Sequence, residues 1–228
     1  MTNVIAHRGA SAARPENTIE AFRYARSLGA DGVELDVRRS ADGQAVVCHD
    51  AWLSDGRMIA DLATEELPVG TPLLAESLAG CEGMDIHVEI KNASAEPDHD
   101  PAQMLASVVV DQVRAAGLGD RVVVSSFGFA TIDRVRALEP HVATAWLVID
   151  RGDPAALIER TSAAGHAGIH PVHRMVDRDL VARAHDAGLF VNVWTVDDPD
   201  KIRRLAELGV DGVITNVPDV ALVALGRG

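Results

Sequence analysis

Cysteine is scarce in this chain, with Cys48 and Cys81 the only two in 228 residues. They stand far apart and outside any metal-binding spacing. A disulfide framework and a cysteine-rich zinc site are therefore not expected, and each cysteine reads as a small core residue. Long apolar runs are absent as well. None approaches the ~20 residues of a membrane span, so stable membrane insertion is not expected. The first strand-like run begins at about Asn3, which leaves no room for a secretory leader, and a cytoplasmic location is the expectation. Positive charge is in deficit: 21 Lys and Arg face 34 Asp and Glu, a formal net charge of −13. Nucleic acid, whose binding needs clustered cations, is not an expected partner. Adhesion to anionic membranes by charge alone is disfavoured too. No glycine-rich dinucleotide fingerprint appears.

What is present is ordinary globular composition, 47% hydrophobic with 19 Gly and 10 Pro. No linker, low-complexity tract or composition break interrupts it, so residues 1–228 read as a single domain. Nine short β-rich runs are visible: NVIAH, GVELDV, AVVCHD, HVEIK, RVVVSSF, TAWLV, GIHP, FVNVWTV and DGVITN. Amphipathic stretches lie between most of them. Asp100-Pro101, Asp153-Pro154 and Asp198-Pro199 read as N-caps with Pro at the first helical position. Gly117, Gly165 and Gly209 read as the matching helix stops. A further helix is expected from about Asp177 to Gly188. Asn17-Thr18-Ile19-Glu20 has the pattern of a capping box opening a helix that stops at Gly29.

Alternating strands and helices predict a parallel sheet with helices outside, and this many units predicts a (β/α)8 barrel. A doubly wound open sheet is the alternative. The barrel is expected to be irregular. Asp36 and His49 are too close for a helix between them, so one β/α unit is expected to lack its helix and one of the nine runs to lie outside the barrel.

Two charged pairs stand out. Glu34 and Asp36 lie in GVELDV; Glu89 and Lys91 lie in HVEIK. Alternate strand residues share a face, so each run pushes two charges out of one face while Val33, Leu35 and Val37, or Val88 and Ile90, pack on the other. Charge buried in a sheet is costly unless paired or metal-bound. His7-Arg8-Gly9 follows one apolar strand, and His49-Asp50 follows another. Barrel enzymes work at the C-terminal strand ends, where His7, Glu34, Asp36, His49, Glu89 and Lys91 are all expected to fall. Hard carboxylate ligands on separate strands suit Mg²⁺ or Ca²⁺.

In order along the chain come His7-Arg8-Gly9, Pro15-Glu16-Asn17-Thr18, Glu34-Leu35-Asp36, Asp42-Gly43 leading to His49-Asp50, Glu89-Ile90-Lys91, Ser125-Ser126-Phe127, Trp194-Thr195-Val196 and Asp211-Gly212-Val213-Ile214-Thr215. Through this ordered set the chain resembles the glycerophosphodiester phosphodiesterase family, within the wider barrel phosphodiesterases. The resemblance implies one divalent cation, Mg²⁺ or Ca²⁺, held by Glu34, Asp36 and Glu89. It implies Arg8 and Lys91 on the phosphate, Trp194 on a pocket wall, and His7 and His49 as the acid–base pair, with His7 the base and His49 the acid. The implied substrate is a small glycerophosphodiester, cut to glycerol 3-phosphate and an alcohol. A phospholipase D-like hydrolase of lysophospholipids or sphingolipids is one alternative, and an inactive phosphate-binding barrel another. The chain departs from the family in two places. The segment from Ala51 to Thr71 is short where many members carry a covering insertion, and Thr215-Asn216 stands where Thr-Asp is usual. Glu16-Asn17 reads either as a plain helix start or as support for the site. His87 reads as a hydrogen-bonded interior residue, and His99, His141, His166 and His185 read as surface groups. His170 either lines the pocket or only packs.

Overall fold

The computed structural model describes residues 1–149 and 152–228. Strand and helix alternate through β1 (Asn3–His7), α1 (Ile19–Leu28), β2 (Gly32–Arg39), β3 (Ala45–Val47), α2 (Leu74–Gly80), β4 (Asp85–Ile90), α3 (Met104–Ala116) and β5 (Val122–Ser126). They continue through α4 (Phe129–Leu138), β6 (Ala143–Val148), α5 (Pro154–Ala163), β7 (Gly168–Pro171), α6 (Arg178–Asp186), β8 (Phe190–Val193), α7 (Pro199–Leu208), β9 (Gly212–Thr215) and α8 (Pro218–Ala224). Parallel pairing runs β1-β9-β8-β7-β6-β5-β4-β2, and β1 also pairs with β2, which closes the ring. The chain folds as a (β/α)8 barrel.

The excess strand is β3. It is antiparallel to β2, with Val37 opposite Val47 and Arg39 opposite Ala45. A tight turn at residues 40–44 makes this hairpin, with Gly43 at φ +80°. The hairpin explains the short spacing from Asp36 to His49. It also corrects the expectation of a missing helix: the chain leaves β2 through β3, crosses residues 51–71 with two 3-10 turns, and only then forms α2 before β4. Every barrel strand keeps a helix because the hairpin is an insertion into the crossover, not a replacement for it.

Both faces of β2 are buried, as parallel barrel strands require. Val33, Leu35 and Val37 join Phe22, Ala25, Leu74, Leu78 and the apolar stripe of α3 in one cluster between the barrel and its helices. The helix starts differ from expectation at two of the predicted caps. Asp153 and Asp198 cap α5 and α7 as expected. At α1 the cap is Thr18, whose hydroxyl accepts from Ala21 N, while Asn17 turns into the left-handed region at φ +56°. At α3, Asp100 sits three residues before the observed cap, Gln103. Its carboxylate accepts from Ala102 N and Met104 N, and its own backbone is held by the Asn92 side chain, so the helix opens at Met104. His166 is buried, not a surface group, because it bridges Thr144 and Asp133 behind the barrel wall.

Candidate active site

Sheet register assembles the site. His7 pairs with Glu34 across β1 and β2, while Glu34 pairs with His87 and Asp36 with Glu89 across β2 and β4. Neighbouring strands are about 4.8 Å apart, so side chains matched in register on the inner face converge. Glu34, Asp36 and Glu89 offer ligand oxygens that all lie within 4.8 Å of one another. All three are buried.

Three carboxylates face two cations here. Lys91 Nζ lies 2.9 Å from Asp36 Oδ1 and 2.5 Å from Glu89 Oε1. Arg8 Nε lies 3.1 Å from Asp36 Oδ2, and its Nη1 reaches the exposed Glu16 at 2.9 Å. Asp36 thus receives both cations. Burial alone would raise its pKa, but Lys91 and Arg8 outweigh burial and bring it down to about 2. Among the described residues Glu34 accepts one hydrogen bond, from the Arg8 backbone N–H at 3.0 Å on Oε2. Its Oε1 is buried with no partner among the described residues. Burial, then Asp36 and Glu89, push the Glu34 carboxyl well above the usual carboxylate range. Burial also lifts Glu89 to about 7, against the pull of Lys91. The cluster is short of positive charge at its unpartnered oxygen. That is the chemistry of a hard-cation site, and the donors fit one.

A cavity of about 250 Å³ opens over these groups at the C-terminal end of the barrel. His7, Arg8, Glu34, His49, Glu89, Lys91 and Trp194 all line it, so the structure gathers every sequence-predicted site residue there except Asp36, which is buried in contact with Lys91 and Arg8. The opposite wall is apolar, with Phe127, Leu147 and Ile149. Trp194 is fixed by a 2.7 Å hydrogen bond to the His170 carbonyl and by an edge contact with Phe127. His170 lines the same cavity. His87 lies below it, 5.7 Å from the His170 ring; it is interior as expected, with Nδ1 unpartnered among the described residues. Burial lowers its pKa to about 4.

The two site histidines have different partners. His7 Nδ1 lies 2.7 Å from Asn216 Oδ1, and burial lowers its pKa although that hydrogen bond opposes the shift. His49 Nδ1 lies 2.7 Å from the Asp50 carboxylate, near the rim.

Three residues support the site: Asn17, which the sequence left open between helix start and support, and Arg38 and Asp197, which were not legible as such. Asn17 donates to Asp36 Oδ2 at 2.9 Å and accepts from Asp36 N at 3.2 Å, which is why it abandons the helix cap. Arg38 is buried beneath the His49 loop. It donates to His49 O at 2.7 Å, to Asp98 at 2.7 Å and to Glu96 at 2.9 Å. Asp197 accepts from Thr215 Oγ1, Asn216 N and Asn216 Nδ2. For Arg38, the inward parity of Glu34 and Asp36 was the available signal.

Fold and site together define a (β/α)8-barrel enzyme whose strand ends carry an acidic cluster able to hold a metal ion. The Glycerophosphoryl diester phosphodiesterase family matches residues 7–220, and the chain belongs to that family of phosphoric diester hydrolases. It is 31% identical over 245 residues to a glycerophosphodiester phosphodiesterase of Bacillus altitudinis, covering 97% of each chain. Among solved structures it resembles an Oleispira antarctica phosphodiesterase in complex with the product sn-glycerol-3-phosphate, with a TM-score of 0.90, 27% identity, and 99% and 97% of the two chains covered. A glycerophosphodiester phosphodiesterase from Thermotoga maritima gives a TM-score of 0.82 at 28% identity, with 100% and 99% covered.

Proposed function

We propose that this enzyme hydrolyses small glycerophosphodiesters to glycerol 3-phosphate and an alcohol, with one divalent cation, Mg²⁺ or Ca²⁺, held by Glu34, Asp36 and Glu89. The observation that carries this reading is the buried three-carboxylate cluster with its free Glu34 oxygen at the floor of the cavity. Such a cation supplies charge stabilisation to the phosphoryl oxygens. Arg8 and Lys91 border the same cavity, and their charges suit the remaining phosphate oxygens. The proximity of both to Asp36 keeps them aimed before substrate arrives.

The partners of the two histidines support the division of proton transfers. His7 is paired with an amide and is held neutral by burial, as a base requires. His49 is paired with a carboxylate, the better partner for a ring that carries a proton to the leaving alcohol. Trp194 and the apolar wall accommodate the carbon skeleton of the glycerol. The cavity, at about 250 Å³, falls below the roughly 300–1,000 Å³ of pockets that enclose drug-sized ligands. That favours a glycerophosphate over an acyl chain. The half-exposed Ile149 at the apolar edge is the one feature favouring a lysolipid instead. Among the described residues no helix is long and apolar enough to cross a membrane.

The test is product release from glycerophosphocholine, glycerophosphoethanolamine, glycerophosphoglycerol and a lysolipid, each with Mg²⁺, Ca²⁺ or excess chelator. Cation-dependent glycerol 3-phosphate release is expected. Full activity in chelator would remove the metal from the scheme, and turnover of lysolipid alone would replace the substrate.

A further inference from the structure

We propose that Asn216 and Asp197 act as positioning residues that fix the tautomer and the aim of the His7 imidazole. The inference rests on the reading of His7 as the base. Asp197 lies in the loop after β8, and Asn216 immediately follows β9. The Asp197 carboxylate accepts from Asn216 N at 2.8 Å, from Asn216 Nδ2 at 2.7 Å and from Thr215 Oγ1 at 3.0 Å. An ionised carboxylate can only accept. The amide nitrogen of Asn216 must therefore face Asp197, since the flipped amide would set oxygen against oxygen at 2.7 Å.

That leaves Asn216 Oδ1 facing His7. Ser11 Oγ donates to the same oxygen at 2.9 Å. An acceptor 2.7 Å from His7 Nδ1 obliges Nδ1 to carry the hydrogen. A neutral imidazole has one ring N–H, so Nε2 presents its lone pair. Nε2 is also the nitrogen on the carboxylate side, 3.9 Å from Glu34 Oε2. The arrangement does for His7 what a buried aspartate does for the histidine of a Ser-His-Asp triad, where the wrong tautomer is catalytically costly. Here the carboxylate is placed one residue back. The intervening amide transmits orientation without adding a fourth negative charge beside Glu34, Asp36 and Glu89.

Two variants and a swap test the proposal. Asn216→Leu removes the acceptor at similar volume. Asp197→Asn removes the group that orients the amide. In the double variant Asp197→Asn/Asn216→Asp the donor and acceptor exchange places, so an acceptor again faces His7. ¹⁵N NMR of the histidine side chains in metal-free protein, at a pH where His7 is neutral, reads the tautomer directly. The wild type is expected to show the Nδ1–H form, Asn216→Leu mainly the Nε2–H form, and Asp197→Asn a mixture. With glycerophosphocholine and saturating cation, kcat should fall roughly 10–10³-fold in Asn216→Leu, no more than a whole general base is worth, with KM nearly unchanged. The double variant should recover the Nδ1–H form and exceed Asp197→Asn in kcat. An Nε2–H wild type, an unchanged tautomer in Asn216→Leu, or a reversed tautomer with undiminished kcat would each overturn the proposal. If Asn216→Leu fails to fold, the Asp197→Asn and double-variant pair decides by the same criteria. His7→Ala separates the two levels: full activity there removes His7 as base, whatever the tautomer proves to be.

Discussion

Glu89 lies 2.5 Å from the Lys91 ammonium, and burial, with Asp36 beside it, still lifts its pKa to about 7. Its native pKa is above the roughly 4.3 of an unfolded glutamate. The native state therefore keeps a proton that the unfolded chain releases. This contribution to stability is complete below about pH 4.3 and is lost as pH rises towards 7. Asp36 has the opposite sign: its contribution is present above about pH 3.9 and is lost as pH falls towards 2. A divalent cation bound as proposed would displace the Glu89 and Glu34 protons, so its stabilisation should grow with pH. Thermal melts at pH 5 and pH 8, with and without Mg²⁺ or Ca²⁺, should show the larger cation-induced rise in Tm at pH 8, and Glu89→Gln should flatten the difference. An equal rise at both pH values would count against this assignment. Glu34→Gln keeps the shape of the side chain but removes the charge, and should abolish cation-dependent turnover with little change in the metal-free Tm. The charged pairs on β2 and β4 were readable because strand parity exposes them. Asn17 was only half-readable, since an asparagine before a helix has the same local pattern whether it caps the helix or, as here, turns away to hold Asp36.

The element that delivers His49 is the β2–β3 hairpin, and its anchor is Arg38. Its guanidinium joins His49 O to Asp98 and Glu96, so one buried side chain ties the His49 loop to the loop after β4. Arg38→Lys cannot reproduce a three-way fork with one ammonium. On the proposed roles, it should lower kcat more than it raises KM, because His49 would lose its aim while Arg8 and Lys91 stay in place. Arg38→Ala leaves Asp98 buried without its partner and should cost about 3–5 kcal/mol in denaturant titrations. A wild-type kcat in Arg38→Lys would show that the hairpin holds His49 unaided. On the other side of the site the His7-Arg8-Gly9 turn packs against α1. Gly9 sits at φ +82°, and a Cβ there would lie 2.6 Å from Ala21 Cβ and 2.7 Å from its backbone carbon. Gly9→Ala should lose roughly 2–5 kcal/mol, combining a left-handed backbone penalty of about 1–2 with overpacking of about 1–3. A melt within a degree of wild type would refute the close approach. Hairpin and turn explain what the sequence left open: β3 has strand composition, and only its antiparallel pairing shows that it stands outside the barrel.

Across the whole molecule, what could be read from residue order was whatever repeats. Eight strand–helix units and the polar residues at their C-terminal ends are local patterns, so barrel and candidate cluster were both visible. Contacts that span the ring were not. His7 and Asn216 are 209 positions apart, and only closure of β1 on β9 brings them to 2.7 Å. The short segment 51–71 has a similar long-range consequence. It forms 3-10 turns on the far side of His49 and borders a second, open cavity of about 380 Å³, with Glu16, Asp50 and a half-exposed Trp52 at its edge. A leaving alcohol protonated by His49 would depart over this groove. Its carboxylates are exposed, so their attraction for a cationic headgroup is screened and worth little. Among the described residues the buried polar side chain lining this groove, Asn17, is already paired with Asp36, so the wrong headgroup does not leave it unpaired, and unpaired buried groups are what give large discrimination. The choline, ethanolamine and glycerol diesters should therefore differ by less than about tenfold in kcat/KM, about 1.4 kcal/mol. Competition assays with mixed diesters would measure the ratios directly. A preference above about 100-fold for one headgroup would mean that segment 51–71 closes over the substrate into a specific pocket, and Trp52→Ala should then erase the preference while leaving turnover of the glycerol diester intact.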